Sequence, residues 1–419
     1  MSDMLHLPIY RARSRRSFLA NSLAGAGAFC GMRLPLPEAT GQLNAPRKKL
    51  IGWGTDVAYP SKVQNNIRKI EELPLDGIVL SNFRGEKDGR EFSFDWECFG
   101  RQKFERRHLD SMIRLLGNIR FERFTDNFLR FNLQPYDFDW FEDFSAPVHN
   151  ALLWAGVAKE VGAKGWKFDL EDYQDKMFVY ARQKYAESKS FAEYATQVRL
   201  RGRQMMEAIQ HGFPDIVLLL SLAHSYVNRT PQASQKLSEL SSYGLLPAFV
   251  NGLLDAAGPR VRMIDGQEQA YGYVTPEEYF RGYHDIRQRA LELVPRELWG
   301  KYRDKMEAGV AIFANLQLAV NRTTTRYWVP HYLQPEERLR LFEQNVYHAL
   351  HTTDEYAWLY SEHMGWGESG HPVPTPAGAV DAIRAARAKL ADGKPIGFEL
   401  ADATARARAA LARATQHAP

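Results

Sequence analysis

The chain has few cysteines and no long apolar run. Only Cys30 and Cys98 occur among the 419 residues, so at most one intramolecular disulfide can form and a disulfide framework is excluded. No apolar run of the sequence reaches the roughly 20 residues that a membrane-spanning helix needs. We therefore expect no membrane span and a fold whose stability does not depend on oxidation.

Signatures of metal and nucleotide chemistry are also missing. The 12 histidines are scattered, and the segment from Gly52 to Asp56, within the first predicted strand, lacks the histidine pair typical of metal-dependent barrel hydrolases. The sequence contains no glycine-rich phosphate-binding loop of the P-loop or dinucleotide type. We predict no metal and no cofactor.

The charge is almost balanced once the N-terminus is set aside. The formal net charge is +4, but residues 1–28 hold four arginines against one aspartate, and the remaining chain has a net charge of +1. A nearly neutral body gives no electrostatic reason to expect a nucleic acid or an anionic membrane surface as partner.

The excess of arginine belongs to an N-terminal pattern typical of export signals. Residues 14–19 read Ser-Arg-Arg-Ser-Phe-Leu, an apolar run of small residues follows to Phe29, and Ala-Gly-Ala at 26–28 offers a cleavage site. We interpret residues 1–28 as a twin-arginine signal peptide and residues 29–48 as a tether. The mature protein is then expected in the periplasm or outside the cell.

Strand-like apolar segments alternate with amphipathic helix-like segments along the rest of the chain. The eight strand-like segments are 49–59, 76–83, 123–133, 165–171, 215–222, 261–265, 309–315 and 356–362. Such alternation is typical of a parallel α/β sheet, and eight units favour closure into a single (β/α)8 TIM barrel over residues 49–400. Residues 401–419 are predicted to form a C-terminal helix or tail. An open sheet divided into two domains is the alternative.

Carboxylates follow several of these strands. Burying a charge is costly unless it is paired or used, so acids at the end of an apolar strand indicate chemistry. Glu171 is the first candidate for a general acid, and Asp169, on the same side of the strand, could hold its proton or orient a substrate group. The second carboxylate is Glu362 or Glu268, and the sequence does not decide between them.

Amides and aromatic rings accompany the acids at the strand ends. Carboxylates and amides hydrogen-bond to hydroxyls, and the apolar face of a pyranose lies flat on an aromatic ring, so this set suits a sugar. The substrate-binding candidates are Trp53, Asp56, Asn82, Arg84, His224, Tyr226, Asp265, Tyr271, Asn315, Tyr360 and Trp366.

The Asp169-Leu170-Glu171 ending resembles the final Asp-x-Glu of chitinase-type glycoside hydrolases. The resemblance implies that Glu171 is the acid and that Asp169 assists the substrate, whereas Lys167 stands where that family has a further aspartate. The mature chain as a whole is similar to exported bacterial barrel proteins grouped as glycoside-hydrolase-like, through residues 73–78 and 360–362.

Two carboxylates across a sugar linkage are what glycosidic cleavage requires. We therefore expect a glycoside hydrolase that acts on an oligo- or polysaccharide at the C-terminal mouth of the barrel, where barrel enzymes place their chemistry. A non-catalytic carbohydrate-binding barrel is the main alternative, and a metal-dependent hydrolase is a further one.

Overall fold

The structure is a computed structural model that describes residues 48–54, 58–173, 176–227, 236–240, 242–320, 325–362, 364–366 and 373–416. The expected signal peptide, all but the last residue of the tether, and Asp56 lie outside the described residues.

Parallel strands form the centre of the described chain. The strands are β1 (Lys49–Gly54), β2 (Gly77–Leu80), β3 (Arg84–Lys87), β4 (Arg90–Ser93), β5 (Phe128–Asn132), β6 (Gly165–Asp169), β7 (Val217–Leu220), β8 (Arg262–Asp265), β9 (Met306–Ala308), β10 (Val310–Phe313) and β11 (Tyr356–Ser361). β3 and β4 make a separate antiparallel hairpin, and the other strands follow the order β10-β11-β1-β2-β5-β6-β7-β8-β9.

The sheet closes through β9 and β10, which are two parts of one chain segment. β9 pairs with β8 and β10 pairs with β11, both in parallel. Only Gly309 separates the two parts, and a Cβ there would lie 2.7 Å from a side-chain carbon of Ile264 and 3.2 Å from the carbonyl oxygen of Tyr356. Glycine is therefore required where the segment passes between two neighbouring strands. Eight segments thus complete the ring, and the predicted (β/α)8 barrel is confirmed.

Helices surround the barrel. They are α1 (Pro60–Glu71), α2 (Asp110–Asn118), α3 (Ser145–Glu160), α4 (Phe191–Gly212), α5 (Leu246–Ala256), α6 (Pro276–Arg287), α7 (Trp299–Lys305), α8 (Pro335–Thr352), α9 (Ala379–Ala391) and α10 (Ala401–Gln416). Capping boxes begin several of them: in α4 Ser190 accepts from the backbone of Glu193, whose carboxylate accepts from the backbone of Ser190. None of the helices in the described part of the chain has the length and hydropathy of a membrane span.

Alternate strand residues fill the barrel interior. Side chains of successive strand residues point to opposite faces, so Phe128, Val217, Leu219, Ile264 and Trp358 share an interior cluster. Their neighbours in sequence belong instead to the larger core between the strands and the helices. This parity decides which of the predicted site residues reach the mouth.

Candidate active site

A hydrogen-bonded group of charges lies inside the barrel, from the middle of β5 and β6 to the C-terminal end of β6. Arg130 Nε and Nη2 donate to Asp169 Oδ2 over 3.1 and 2.6 Å. Ser221 Oγ donates to Asp169 Oδ1 over 3.0 Å, and Lys167 Nζ donates to Ser221 Oγ over 2.5 Å. The parallel pairing of β5 with β6 aligns Arg130 with Lys167, and both side chains therefore enter the same interior space. These four side chains are all buried.

Asp169 is the ionised centre of this group. Burial acts to raise the pKa of Asp169, but the charges of Arg130 and Lys167 and the hydrogen bonds from Arg130 and Ser221 outweigh burial and leave the pKa below its usual value. Asp169 therefore cannot hold a proton for Glu171 at neutral pH. It provides a fixed negative charge beneath Glu171.

Glu171 lies next to this charge and titrates near neutrality. Burial and the negative charge of Asp169 raise the pKa of Glu171 to about 7, against the opposing effects of a hydrogen bond from Tyr173 and the charges of Arg130 and Lys167. A carboxyl group with such a pKa exists in both protonation states under physiological conditions, as acid/base chemistry requires.

Glu268 reaches the same space from the loop that follows β8. Burial and the charge of Glu171 raise the pKa of Glu268 well above its usual range, while Lys167 opposes the change. The N–H of Glu268 donates to the carbonyl oxygen of Ser221 over 3.3 Å, and the N–H of Glu171 donates to Asp169 Oδ1 over 3.4 Å, which also accepts from Ser221 Oγ. Both glutamates therefore start from the same part of the mouth. Two carboxylates that share a site cannot both ionise freely, and one of them keeps a proton.

Aromatic side chains line the mouth around these acids. Trp53, Tyr271 and Tyr360 adjoin the interior cluster, as expected from the strand ends. Tyr360 lies 5.0 Å from Trp53 and 6.2 Å from Tyr271 between ring centroids, and burial together with the charge of Glu268 raises the pKa of Tyr271. Tyr226 is half-buried, and its ring centroid lies 5.0 Å from that of Tyr243. Burial raises the pKa of Tyr243, and the charges of Glu171 and Glu268 add to the increase, so Tyr226 adjoins the mouth through Tyr243.

Two exposed rings flank the acids. Trp96 is 42% exposed and Tyr173 is 46% exposed, and their centroids lie 5.5 Å apart. The hydroxyl group of Tyr173 nevertheless points inward and donates to Asp169 Oδ2 over 3.2 Å. The guanidinium of Arg130 lies 4.5 Å from the ring of Trp96. The pair therefore places two partly exposed aromatic rings directly beside the acidic group.

Glu362 lies at the edge of this arrangement. It is exposed, and its backbone N–H donates to Asn315 Oδ1 over 2.7 Å, while Asn315 Nδ2 donates to the Glu362 carbonyl over 2.5 Å. Burial and then the charge of Glu362 raise the pKa of Tyr360, so Glu362 lies near this ring. Which of Glu268 and Glu362 is the partner of Glu171 stays a prediction at this point. The amide of Asn315 joins the segments that follow β10 and β11, and its contact with substrate stays a prediction.

His224 and Asp265 lie behind the barrel wall. His224 is fully buried, its Nε2 is 2.9 Å from Asn251 Oδ1 on α5, and burial lowers its pKa to about 4. Asp265 follows the interior residue Ile264 and so faces the helices, where it accepts hydrogen bonds from the N–H and Oγ of Ser225 at 3.1 and 2.8 Å. The expectation that these two side chains contact substrate is therefore wrong.

Three further predicted contacts lie at or beyond the rim. Trp366 Nε1 donates to Ser361 Oγ over 2.8 Å, and the ring lines a small cavity with Trp53, Leu359 and Ile383. Arg84 is exposed at the start of the β3–β4 hairpin. Asn82 adopts a left-handed conformation with φ of 63° and donates its N–H to Asp95 Oδ2 over 2.8 Å.

The principal residues missing from the sequence-based set are Arg130, Lys167 and Tyr173. Both Arg130 and Lys167 are charged residues in the middle of apolar strands, a signal that could have placed them, since such a charge must be paired. Tyr173 follows the strand by four residues, and the sequence gives no sign that its hydroxyl group turns back to Asp169. Within the part of the chain that the structure describes, no group of three or more His, Cys, Asp or Glu side chains could hold a metal ion.

No protein family model matches the chain, and no curated protein matches it in sequence. A glucosidase from Croceicoccus marinus is 11% identical with a TM-score of 0.41, over 83% of this chain and 67% of the glucosidase. A GH5-4 broad specificity endoglucanase from an uncultured bacterium is 11% identical with a TM-score of 0.41, over 79% of this chain and 85% of the endoglucanase. A sugar phosphate isomerase/epimerase from Parabacteroides distasonis is 11% identical with a TM-score of 0.35, over 80% of this chain and 96% of the isomerase. At these identities and TM-scores the likenesses assign no activity to the chain.

Proposed function

We propose that the protein is a glycoside hydrolase that cleaves an oligo- or polysaccharide with Glu171 and Glu268. The observation that carries the proposal is the electrostatic coupling of these two carboxyl groups at the barrel mouth, where burial raises both pKa values. One protonated and one ionised carboxyl group in a shared site is the arrangement that cleavage of a glycosidic bond needs.

The surroundings of the two glutamates divide their roles. A hydrogen bond from Tyr173 and the charges of Arg130 and Lys167 all favour the ionised form of Glu171, whereas Lys167 alone opposes the protonation of Glu268. Glu268 then donates its proton to the leaving oxygen, and ionised Glu171 attacks the sugar or activates water. The sequence suggested Glu171 as the general acid, whereas this assignment gives the acid role to Glu268. The two residues proposed for the reaction stay the same.

The exposed rings supply a place for the sugar. Trp96 and Tyr173 lie side by side next to Asp169 and Glu171, and a pyranose ring stacked on them would place its linkage close to the acids. Tyr271 and Tyr360 border the same space from the opposite side of the barrel. Carbohydrate is therefore the substrate class that this mouth suits.

A panel of polysaccharides and aryl glycosides tests the proposal. The wild-type protein should release reducing sugar or the aryl group from at least one substrate, and Glu171→Gln and Glu268→Gln should each lower kcat by about 10²-fold or more. Glu362→Gln, which alters the carboxylate not coupled to Glu171, should lose less than either.

The control for the panel is Glu160→Gln on α3, a surface glutamate paired with Arg106 over 2.6 Å. This variant should retain full activity. If Glu171→Gln hydrolyses the substrate as fast as the wild type, Glu171 has no part in the reaction. If the wild type binds oligosaccharides in calorimetry and cleaves none of them, the protein is a sugar-binding barrel instead.

Export by the twin-arginine route is part of the proposal. The motif at residues 14–19 contains Arg15 and Arg16. Replacing both arginines by lysine should retain the full-length precursor in the cytoplasm, as fractionation and immunoblotting would show. Normal export of the double variant would rule out this route.

A further inference from the structure

Lys167 places a positive charge beneath the acids of the barrel mouth. Its side chain is fully buried, and Nζ lies 4.0 Å from the ring centre of Trp358 and 5.0 Å from that of Trp53. Ser221 Oγ, 2.5 Å away, links Nζ to the carboxylate of Asp169. The ammonium is thus held between two aromatic faces and one hydroxyl group.

An apolar side chain would fill this position with a smaller desolvation penalty. The residue aligned with Lys167 on β7 is Leu219, and Trp358 of β11 completes the same region of the interior. Burying an ammonium is expensive unless nearby negative charge compensates it. Lys167 is therefore explained by the charges around it and not by packing.

Charged groups face Lys167 from several elements. Arg130 on β5, which also lies 3.7 Å from Asp95, opposes the ammonium. Asp169 and Glu171 at the end of β6 and Glu268 after β8 attract it. Ser221 connects these residues: its Oγ joins Lys167 to Asp169, whose Oδ1 also accepts from the N–H of Glu171 over 3.4 Å, and its carbonyl oxygen accepts from the N–H of Glu268 over 3.3 Å. The phenols of Tyr271 and Tyr360 border the same space and are influenced by the same acids. Burial lowers the pKa of Lys167 to about 8, so the ammonium remains charged at neutral pH.

We propose that Lys167 is a positioning residue that sets the protonation state of Glu171 and Glu268 from below the substrate. This inference rests on the proposed function, because it concerns the same two carboxyl groups. Lys167 does not touch substrate: it is fully buried, and its Nζ hydrogen-bonds to Ser221.

The sign of the effect follows from the charge. A nearby cation favours the ionised carboxylate, so Lys167 lowers the pKa of both Glu171 and Glu268. Lys167→Met removes the cation and keeps most of the side-chain length. Both glutamates should then titrate at higher pH, by about one pH unit or more.

The first experiment does not need a substrate. Selective ¹³C labelling of glutamate side chains, with Glu171→Gln and Glu268→Gln for assignment, gives both titration midpoints by NMR. We expect higher midpoints in Lys167→Met and unchanged midpoints in Lys167→Arg, which keeps the charge. Lys167→Gln can still bond to Ser221 and provides the neutral variant if the methionine protein does not fold.

Lys305→Met is the matched control. Lys305 is also buried, with Nζ 2.5 Å from the carbonyl oxygen of Pro259, but it lies outside the barrel at the end of α7. Its loss should lower stability and leave both glutamate midpoints unchanged. Unchanged midpoints in the neutral Lys167 variants, or an equal change in Lys305→Met, would overturn the inference.

The pH dependence of hydrolysis provides a second readout. If Lys167 sets the charge of the pair, the whole bell-shaped profile of Lys167→Met moves to higher pH, and the rate on the acid side falls about tenfold for a one-unit movement. A lower rate with an unmoved profile would indicate a purely structural role. Titration midpoints that move in a protein without hydrolase activity would support the role of Lys167 and reject the proposed function.

Discussion

Arg130 donates two hydrogen bonds to the same carboxylate oxygen of Asp169, from Nε at 3.1 Å and from Nη2 at 2.6 Å. Both side chains are buried inside the barrel. The pair joins β5 to β6 at the level where the mouth begins, and the carboxylate that it holds lies beneath Glu171. A buried ion pair therefore holds the carboxylate next to Glu171 in place.

Removing the arginine should destabilise the protein. Arg130→Met leaves the buried carboxylate of Asp169 without its arginine partner. Removing one partner of a buried ion pair lowers the free energy of unfolding by about 3–5 kcal/mol. Urea unfolding followed by circular dichroism measures the change. Arg199→Met is the control, because the Arg199–Asp255 pair is partly exposed and should contribute no more than about 1 kcal/mol. Equal stabilities of the two variants would contradict this account of Arg130.

The exposed ring of Trp96 should contribute to sugar binding and little to stability. Trp96→Ala should weaken binding of a cleaved oligosaccharide by about tenfold, the effect of losing one stacking contact. Calorimetry on the inactive Glu171→Gln background measures the affinity. Phe280→Ala on α6 removes a ring that is 48% exposed and has no contact with the mouth, so it should leave the affinity unchanged. A full-affinity Trp96→Ala protein would remove this ring from the binding site.

The rate of hydrolysis should depend on pH, and the fall of the rate on the acid side of the profile should begin near neutrality. The pKa of Glu171 is raised to about 7, and Glu171 acts in its ionised form, so kcat/KM should fall as the pH drops below about 7. A pH–rate profile of the wild-type protein shows the position of this limb. A limb near pH 4.5, the ordinary range of a glutamate, would show that burial does not control Glu171.

Buried His224 should make the fold sensitive to acid. Its pKa is lowered from 6.5 to about 4 in the folded protein, so the unfolded chain binds the proton more readily. The stability present above pH 6.5 should therefore decline as the pH falls toward 4, by roughly 2 kcal/mol between pH 7 and pH 5. His224→Gln keeps a hydrogen-bonding group near Asn251 and cannot titrate. Urea unfolding at both pH values should show a smaller pH effect in this variant, and an equal effect would exclude His224 as the cause.

The barrel could be predicted from the sequence because its signals are local. Eight apolar segments separated by amphipathic helices repeat along the chain, and each predicted segment contains a strand or part of one. The interruption at Gly309 could not be predicted, because it depends on the positions of Ile264 and Tyr356 on two other strands. The acids after strands four and six of the barrel, Glu171 and Glu268, could also be identified from their positions.

The sequence could not predict which side chains point into the barrel and which point toward the helices. Strands of a parallel barrel are buried on both faces, so an apolar run such as 261–265 does not show which residues face inward. Asp265 was therefore assigned to the mouth although Ile264 fills the interior. The sequence shows that Asn315 stands at a strand end, but its hydrogen bonds to the backbone of Glu362 could not be predicted, because Glu362 lies far along the chain. Such contacts depend on the closed ring and have no local signal.

The titration of Glu268 tests the central claim most directly. By ¹³C NMR, Glu268 of the wild-type protein should titrate well above the ordinary range of a carboxyl group, and Glu171→Gln should lower that midpoint because it removes the negative charge that shares the site. An ordinary midpoint for Glu268 in the wild-type protein, unchanged by Glu171→Gln, would contradict the claim that the two carboxyl groups act as one pair.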